Sequence, residues 1–114
     1  MTADLPLAAF VPGMLGQRGD LRLIAGNATV SWKGQPVRLT KAEAKIVTVL
    51  AHAAPRALTY REIIETMHRP GWAVSDDSVV ARAHVKRIRQ KFKAADPKFD
   101  RIETHYTVGY SWRG

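Results

Sequence analysis

The first third of the chain has the hydrophobic patterns of β-strands: a short apolar run is followed by segments in which hydrophobic and polar residues alternate with a period of two. Turn residues separate these segments: Pro12-Gly13 follows the apolar run, Gly26-Asn27 follows the first alternating segment, and Gly34-Gln35 is predicted to close a hairpin. The predicted strands are Leu7–Val11, Leu21–Ile24, Thr29–Lys33 and Val37–Thr40. Together they predict a small antiparallel sheet of up to four strands.

The hydrophobic period changes to that of an α-helix after Thr40. Thr40 and Glu43 have the spacing of a capping box, in which the hydroxyl accepts from a free backbone N–H and the glutamate reaches back. The apolar stripe behind this box is Ile46, Val47, Leu50 and Ala54. Pro55 is predicted to end the helix, because proline has no N–H to continue the hydrogen-bond ladder.

A second capping box, Thr59 with Glu62, opens the next predicted helix. Its inward residues are Ile63, Ile64 and Met67, and Pro70-Gly71 is predicted to stop it. The segment Arg69–Asp77, which carries Trp72, is predicted to be a loop.

A third helix is predicted over Ser78–Ala94, ending before Asp96-Pro97. The tail Ile102–Trp112 has the pattern of two short strands joined near Tyr106–Gly109. The order of elements is therefore a sheet, three helices and a terminal hairpin, which makes the fold α+β.

The third helix separates into an apolar side and a cationic side when its residues are placed at intervals of about 100°. The apolar side is Ala81, Val85, Ile88 and Phe92. The opposite side is centred on Val79, Ala83, Lys86 and Gln90. Further polar side chains flank this centre, namely Arg82, Arg89 and Lys93 on one edge and His84, Arg87 and Lys91 on the other.

Six Lys and Arg and no acidic residue occur between Ser78 and Lys93. A solvated helix usually mixes signs, because oppositely charged residues four apart stabilise it. An unopposed run of cations fits a helix whose charges are neutralised by phosphates. The small Ala83 at the centre of the outer side would let the helix approach base edges, and its methyl can meet a thymine methyl.

Composition supports an acidic partner. The 114 residues include 18 Lys and Arg against 10 Asp and Glu, a formal net charge of +8. Such a charge favours nucleic acid or an anionic membrane surface. A membrane role is disfavoured, because the apolar stripe of the third helix is narrow and is needed for the core. A solvated basic face remains the plainest alternative.

Cysteine is absent, which excludes disulfides, thiol catalysis and Cys-ligated metals and fits a reducing cytoplasm. No apolar run is long enough to span a membrane, and the start lacks the basic region of a signal peptide. The four histidines are scattered without metal-ligand spacing, and no phosphate-binding loop or nucleophile motif occurs. We therefore expect neither an enzyme, nor a metal, nor a cofactor.

Four separated segments resemble the OmpR/PhoB-type winged-helix domain of bacterial response regulators. They are Val37–Leu50 with its capping box, Arg61–Ile64, His84–Phe92 and Ile102–Tyr110. The approach to the hairpin, Lys98–Thr104, is most similar to that of the ChvI-like branch. The resemblance extends from about Leu21 to Trp112.

This resemblance implies a winged helix-turn-helix fold with an N-terminal antiparallel sheet, three helices and a C-terminal β-hairpin, the wing. It also implies sequence-specific control of transcription, with the helix around 78–94 in the major groove of double-stranded DNA and the wing on the adjacent backbone or minor groove. The residues expected to contact DNA are Val80, Arg82, Ala83, His84, Lys86, Arg87, Arg89, Gln90, Lys91, Lys93, Tyr106 and Thr107. A head-to-tail dimer on DNA and contact with RNA polymerase through loop 69–77 are further implications.

The chain departs from the family pattern at three places. An Arg followed by Thr-Val-Asp usually precedes the histidine, whereas this chain has Val79–Arg82, so we expect one phosphate contact fewer at Val79 and one more at Arg82. The wing often offers Arg-Gly, where this chain has Tyr106-Thr107. The twenty residues before the resemblance are too few for the family's phosphorylated receiver domain, and Met1 favours a stand-alone regulator over an excised domain.

We therefore expect residues 1–19 to form an N-terminal arm or first strand and residues 20–114 the DNA-binding domain. The apolar arm, Leu5–Leu15, either docks a partner or packs as a strand on its own sheet. The alternative function is a winged-helix module that binds RNA polymerase or another regulator instead of DNA.

Overall fold

The computed structural model describes residues 14–24, 29–67 and 77–114. The first part is an antiparallel sheet of β1 (Met14–Arg18), β2 (Leu21–Ile24), β3 (Thr29–Trp32) and β4 (Gln35–Arg38), paired in that order. The remaining elements are α1 (Lys41–Ala53), β5 (Leu58–Thr59), α2 (Tyr60–Glu65), α3 (Asp77–Ala95), β6 (Ile102–His105) and β7 (Gly109–Trp112). The predicted α+β order of sheet, three helices and hairpin is confirmed.

The N-terminal sheet differs from the prediction in its first strand and in one turn. The predicted strand Leu7–Val11 lies outside the described residues, and within them Met14–Arg18, which was not predicted as a strand, pairs with β2. The β3–β4 turn is Lys33-Gly34, one residue earlier than predicted, since Trp32 pairs with Gln35. Lys33 and Gly34 have φ of 49° and 79°, the positive values that a type I′ hairpin turn requires at both central positions. The return strand is therefore Gln35–Arg38 rather than Val37–Thr40.

Both predicted capping boxes are present. The Thr40 and Thr59 hydroxyls each accept from the backbone N–H three residues on, at 3.1 Å, and Glu43 and Glu62 each accept from the backbone N–H of the threonine. α1 ends at Ala53, just before Pro55, as the sequence indicates. α2 is shorter than predicted: it ends at Glu65, well before Pro70-Gly71.

The hydrophobic core lies between the sheet and the helices, and four aromatic rings join its parts. The Trp32 ring packs edge-on against Phe99, with 5.2 Å between centroids, and against Trp112, with 5.9 Å. Phe92 stacks on Phe99 at 4.5 Å. Trp32 also donates from Nε1 to Asp96 Oδ2 at 2.9 Å, which ties β3 to the residue just after α3.

A small second sheet, with strand order β5-β7-β6, carries the terminal hairpin. β5 has only two residues, so its hydrophobic pattern is too short to be recognised in the sequence. Gly109 is required where it pairs with β5, because a Cβ there would lie 1.8 Å from the Leu58 carbonyl oxygen. This close approach holds the turn end of the hairpin against the start of α2, where the Tyr60 N–H also donates to the Val108 carbonyl oxygen at 3.1 Å.

Candidate nucleic-acid interface

The apolar side of α3 is fully buried, as predicted. Ala81, Val85, Ile88 and Phe92 have no solvent exposure. This stripe anchors the helix to the domain, so its opposite side is presented outward. The predicted core side and outer side of the third helix are thus the observed ones.

The outer side of α3 carries a group of exposed polar residues that we call the outer face. Arg82, Lys86, Gln90 and Lys93 are exposed, and Ala83 is partly exposed between them. Among the described residues, no carboxylate lies within ion-pair distance of Arg82, Lys86 or Lys93. The outer face is therefore cationic without internal compensation from the described part of the chain.

The start of α3 is held by contacts within the domain. The Arg82 guanidinium lies over the Tyr60 ring of α2, 5.6 Å from its centroid. His84 Nδ1 lies 3.0 Å from the Val80 carbonyl oxygen, and Val80 itself is partly buried against the core. His84 and Val80 are thus at the edge of the outer face rather than at its centre.

Arg89 is committed to the hairpin. Its Nη2 donates to the Ile102 carbonyl oxygen at 2.6 Å and to Thr104 Oγ1 at 2.8 Å. Its guanidinium also lies over the Tyr110 ring, 5.3 Å from the centroid. These three contacts join α3 to β6 and β7 and occupy a charged group that the sequence pattern assigned to DNA.

A buried glutamate holds two further cations of α3. Glu43 is only 1% exposed and accepts from Lys91 Nζ at 2.6 Å. Arg87 Nε lies 3.8 Å from the other carboxylate oxygen, and the Arg87 side chain stays 51% exposed. Lys91 is therefore paired within the domain while 38% of its side chain stays exposed, and Arg87 is held more loosely and is more accessible.

Glu43 remains ionised in this setting. Burial alone would raise its pKa, but the hydrogen bonds from Lys91 and from the Thr40 backbone outweigh burial and place the pKa below its usual value. Glu43 thus caps α1 and also pairs with Lys91 and Arg87 of α3. The sequence pattern indicated only the cap, although Glu43 lies on the same helical face as Ile46, Val47 and Leu50.

The tip of the hairpin projects from the domain. Tyr106 is 85% exposed and Thr107 is also exposed, with a positive φ of 63° at the turn. Neither residue carries a positive charge, so the tip offers a phenol ring and two hydroxyls. The predicted position of the wing tip, Tyr106–Gly109, agrees with the observed turn between β6 and β7.

The described part of the chain offers neither a metal site nor a membrane span. No group of three or more His, Asp or Glu is arranged to hold a metal ion there. No helix in the same ranges has the length and apolar character needed to cross a membrane. Of the loop 69–77 only Asp77 is described, where it opens α3 and lies 3.5 Å from Arg61 Nη1.

Comparison with known proteins shows which family this chain is similar to. The family model for the C-terminal domain of transcriptional regulatory proteins matches residues 34–112. The transcriptional regulatory protein BaeR of Escherichia coli O6:H1 (strain CFT073) is 26% identical over 87 residues, which are 76% of this chain and 35% of BaeR. The chain thus spans about a third of the length of this curated relative.

Solved structures agree with this match. The response regulator DrrB of Thermotoga maritima, an OmpR/PhoB homologue, has a TM-score of 0.69 and 33% identity, covering 90% of this chain and 45% of DrrB. The DNA-binding domain of Klebsiella pneumoniae RstA, solved in complex with the RstA box, has a TM-score of 0.67 and 22% identity, covering 88% of this chain and 96% of that domain.

The family model covers more than half of the chain, and the fold, the order of elements and the exposed third helix agree with it. The prediction of a regulatory domain rather than an enzyme is confirmed by this match. The chain belongs to the OmpR/PhoB-type winged-helix family of C-terminal domains of transcriptional regulatory proteins.

Proposed function

We propose that this chain binds double-stranded DNA in a sequence-specific manner and thereby regulates transcription. The observation that carries the proposal is the outer face of α3, where Arg82, Lys86 and Lys93 are exposed and no described carboxylate compensates them. The RstA domain, which shares this fold, was solved with bound DNA, and this supports the same type of partner.

The outer face fits the major groove in shape and charge. α3 has 19 residues, and an α-helix is narrow enough to enter the major groove, where its outer side would lie between two phosphate walls. Arg82, Lys86 and Lys93 are proposed to contact phosphates, which supply most of the affinity and make it sensitive to salt. The small Ala83 leaves room for the helix to approach the bases, and Gln90 can hydrogen-bond to adenine.

Arg87 is proposed to read a base. A guanidinium can donate two hydrogen bonds to guanine O6 and N7, a geometry that the point charge of a lysine does not match. Glu43, 3.8 Å from Arg87 Nε, would orient this side chain before DNA arrives. Arg89, Lys91, His84 and Val80 are proposed to position α3 and the hairpin rather than to supply free charge to DNA.

The wing is proposed to rest on the adjacent backbone or minor groove. Tyr106 can stack on a sugar and donate one hydrogen bond. The Thr107 hydroxyl donates to the Tyr106 carbonyl oxygen at 2.6 Å and would have to exchange that bond for one to a phosphate oxygen. Because neither residue is cationic, this contact should add little to the salt dependence of binding.

Two protein partners remain proposals that rest on the family resemblance. One is RNA polymerase, through the loop 69–77, and the other is a second copy of the chain arranged head-to-tail on DNA.

The pairing of Met14–Arg18 with β2 favours the first-strand interpretation over a free arm for that part of residues 1–19.

The salt dependence of DNA binding tests the proposed function. We expect the double variant Lys86→Gln, Lys93→Gln to bind specific and random DNA more weakly, because each lysine neutralises a phosphate. The slope of log affinity against log salt concentration should flatten by about one for each phosphate that is no longer neutralised. Fluorescence anisotropy with labelled duplexes at several salt concentrations measures both quantities.

Arg22→Gln is the matched control. Its neighbours Leu21 and Leu23 are buried towards the helices, so the exposed Arg22 lies on the opposite face of the N-terminal sheet. This variant removes a cation but should keep the wild-type slope to within experimental error. If the double variant also keeps the wild-type slope, α3 is not the surface that binds DNA.

A further inference from the structure

An exposed valine lies on the outer side of α3, in the first turn of the helix and next to the cationic outer face. Val79 is 56% exposed, and the other large hydrophobic side chains exposed in the described ranges are Tyr106 and Val108 at the wing tip. Both places belong to the surface that is proposed to meet DNA. The exposed apolar side chains and the uncompensated cations therefore occur together.

Val79 points directly away from the core. At about 100° per residue it lies opposite Ile88, which is fully buried, and one turn before Ala83 on the same side. Val79 and Ala83 thus form a small apolar patch in the first two turns of α3. Arg82 and Lys86 lie along one side of the patch, so charges that attract phosphates border it.

The chemistry of the major groove restricts what such a patch can contact. Base edges there offer hydrogen-bond donors, acceptors and one apolar group, the C5 methyl of thymine. A valine side chain has no polar atom and cannot satisfy a phosphate or a base donor, so burying it against them gains nothing. Against a thymine methyl, by contrast, it removes apolar surface from water on both partners.

We infer that Val79 is a specificity-determining residue that selects thymine through its C5 methyl group, with Ala83 completing the apolar surface. The inference rests on the proposed function, because it requires α3 to lie in the major groove. It also agrees with the place of Val79 in the first turn of the helix, since recognition helices place their N-terminal residues against base edges. The side chain at this position would thus read a methyl group rather than hold a phosphate.

Replacement of thymine by deoxyuridine tests the inference without changing base pairing. The full chain is first used to select bound duplexes from a random library, and each thymine of the best site is then replaced singly by deoxyuridine, which lacks only the methyl. We expect wild-type protein to lose about fourfold in affinity at one or two thymines, as for one buried methyl group. Val79→Ala should bind the thymine and deoxyuridine duplexes equally at those positions.

Two control variants separate this effect from general changes. Val79→Ile keeps an apolar branched side chain and should retain the discrimination. Val108→Ala removes the other exposed valine of the described ranges, which is 45% exposed at the wing, and should also retain the discrimination. Because Val79 is exposed, its replacement is not expected to disturb folding, and circular dichroism checks this directly.

The outcomes distinguish the inference from the proposed function. Site-selective binding by wild type with no loss at any deoxyuridine overturns the inference and leaves DNA binding intact. The same holds if Val79→Ala keeps the fourfold discrimination, or if it weakens all duplexes equally. Failure of wild type to select any duplex would overturn the proposed function itself, and the inference with it.

Discussion

Cations that are close together on α3 have different surroundings. Lys86 is exposed on the outer face, Arg87 is exposed but lies beside the carboxylate of Glu43, and Arg89 is bonded to the hairpin. A helical wheel places all three on the cationic side, with Lys86 at its centre and Arg87 and Arg89 on opposite edges, but it does not show which of them has an acceptor within the domain. What distinguishes them is which acceptor each side chain can reach in the folded domain, and this decides which charge remains for a partner.

Arg87 gives the sharpest prediction at this scale. Arg87→Ala should lose about 1–3 kcal/mol of binding free energy on the best site and relax the preference at one base pair, because a bidentate contact to guanine is removed. A library of single-base variants of that site measures the preference profile. Lys86→Ala is the control and should lower binding to every variant alike. A uniform loss for Arg87→Ala as well would make Arg87 a backbone contact.

At the scale of elements, α3 and the wing behave as one unit because Arg89 joins them. The guanidinium bridges to the Ile102 carbonyl oxygen and Thr104 Oγ1 of β6 and covers the Tyr110 ring of β7. The recognition helix and the wing are thereby kept at a defined separation. Such preorganisation would favour the proposed DNA binding, in which α3 and the wing contact two neighbouring parts of a duplex.

We predict that Arg89→Met lowers the free energy of unfolding by about 1.5 kcal/mol, since it removes charged hydrogen bonds and leaves their acceptors without this donor. Urea denaturation followed by circular dichroism measures the change. Lys86→Met, one turn earlier on the exposed side, should stay within about 0.5 kcal/mol of wild type. If Arg89→Met is as stable as wild type and loses only DNA affinity, Arg89 belongs to the interface after all.

At the scale of the whole molecule, two carboxylates join parts that are distant in sequence. Asp96 accepts from Trp32 of β3, and Glu43 joins α1 to α3. The hydrogen bond from Trp32 lowers the pKa of Asp96, with further lowering from the Lys98 backbone. The pKa of Glu43 is also lowered, because its hydrogen bonds outweigh the effect of burial.

These lowered pKa values predict loss of stability in acid. A carboxylate with a lower pKa in the folded state stabilises the fold fully above its unfolded pKa of about 4, and this contribution is lost as the pH falls through the folded value. The urea concentration at which half of the protein is unfolded should therefore decrease once the pH falls below about 4. Asp96→Asn, which can still accept from Trp32, should show a shallower drop, while Glu65→Gln, at an exposed position of α2, should follow the wild-type curve. An identical pH dependence for Asp96→Asn and wild type would contradict this linkage.

The sequence by itself determined the features that depend on neighbouring residues. The two capping boxes, the core stripe of α3 and the hairpin around Tyr106 were predictable, because each arises from residues within a few positions of one another. The cationic outer face and the OmpR/PhoB-type resemblance also follow from local segments. Local patterns did not predict β5, because it has only two residues. They also did not predict β1, because hydrophobic and polar residues alternate only weakly over Met14–Arg18.

Only the tertiary structure decided which polar groups of the candidate site are accessible. The contacts that occupy Arg89 and Lys91 join residues 13 and 48 positions apart, and the Trp32–Asp96 bond joins residues 64 positions apart. No periodic pattern encodes such pairs, because they depend on how the sheet, the helices and the hairpin pack together. The composition of the basic helix could therefore be read from the sequence, whereas the separation of its cations into positioning residues and an accessible face required the packed domain.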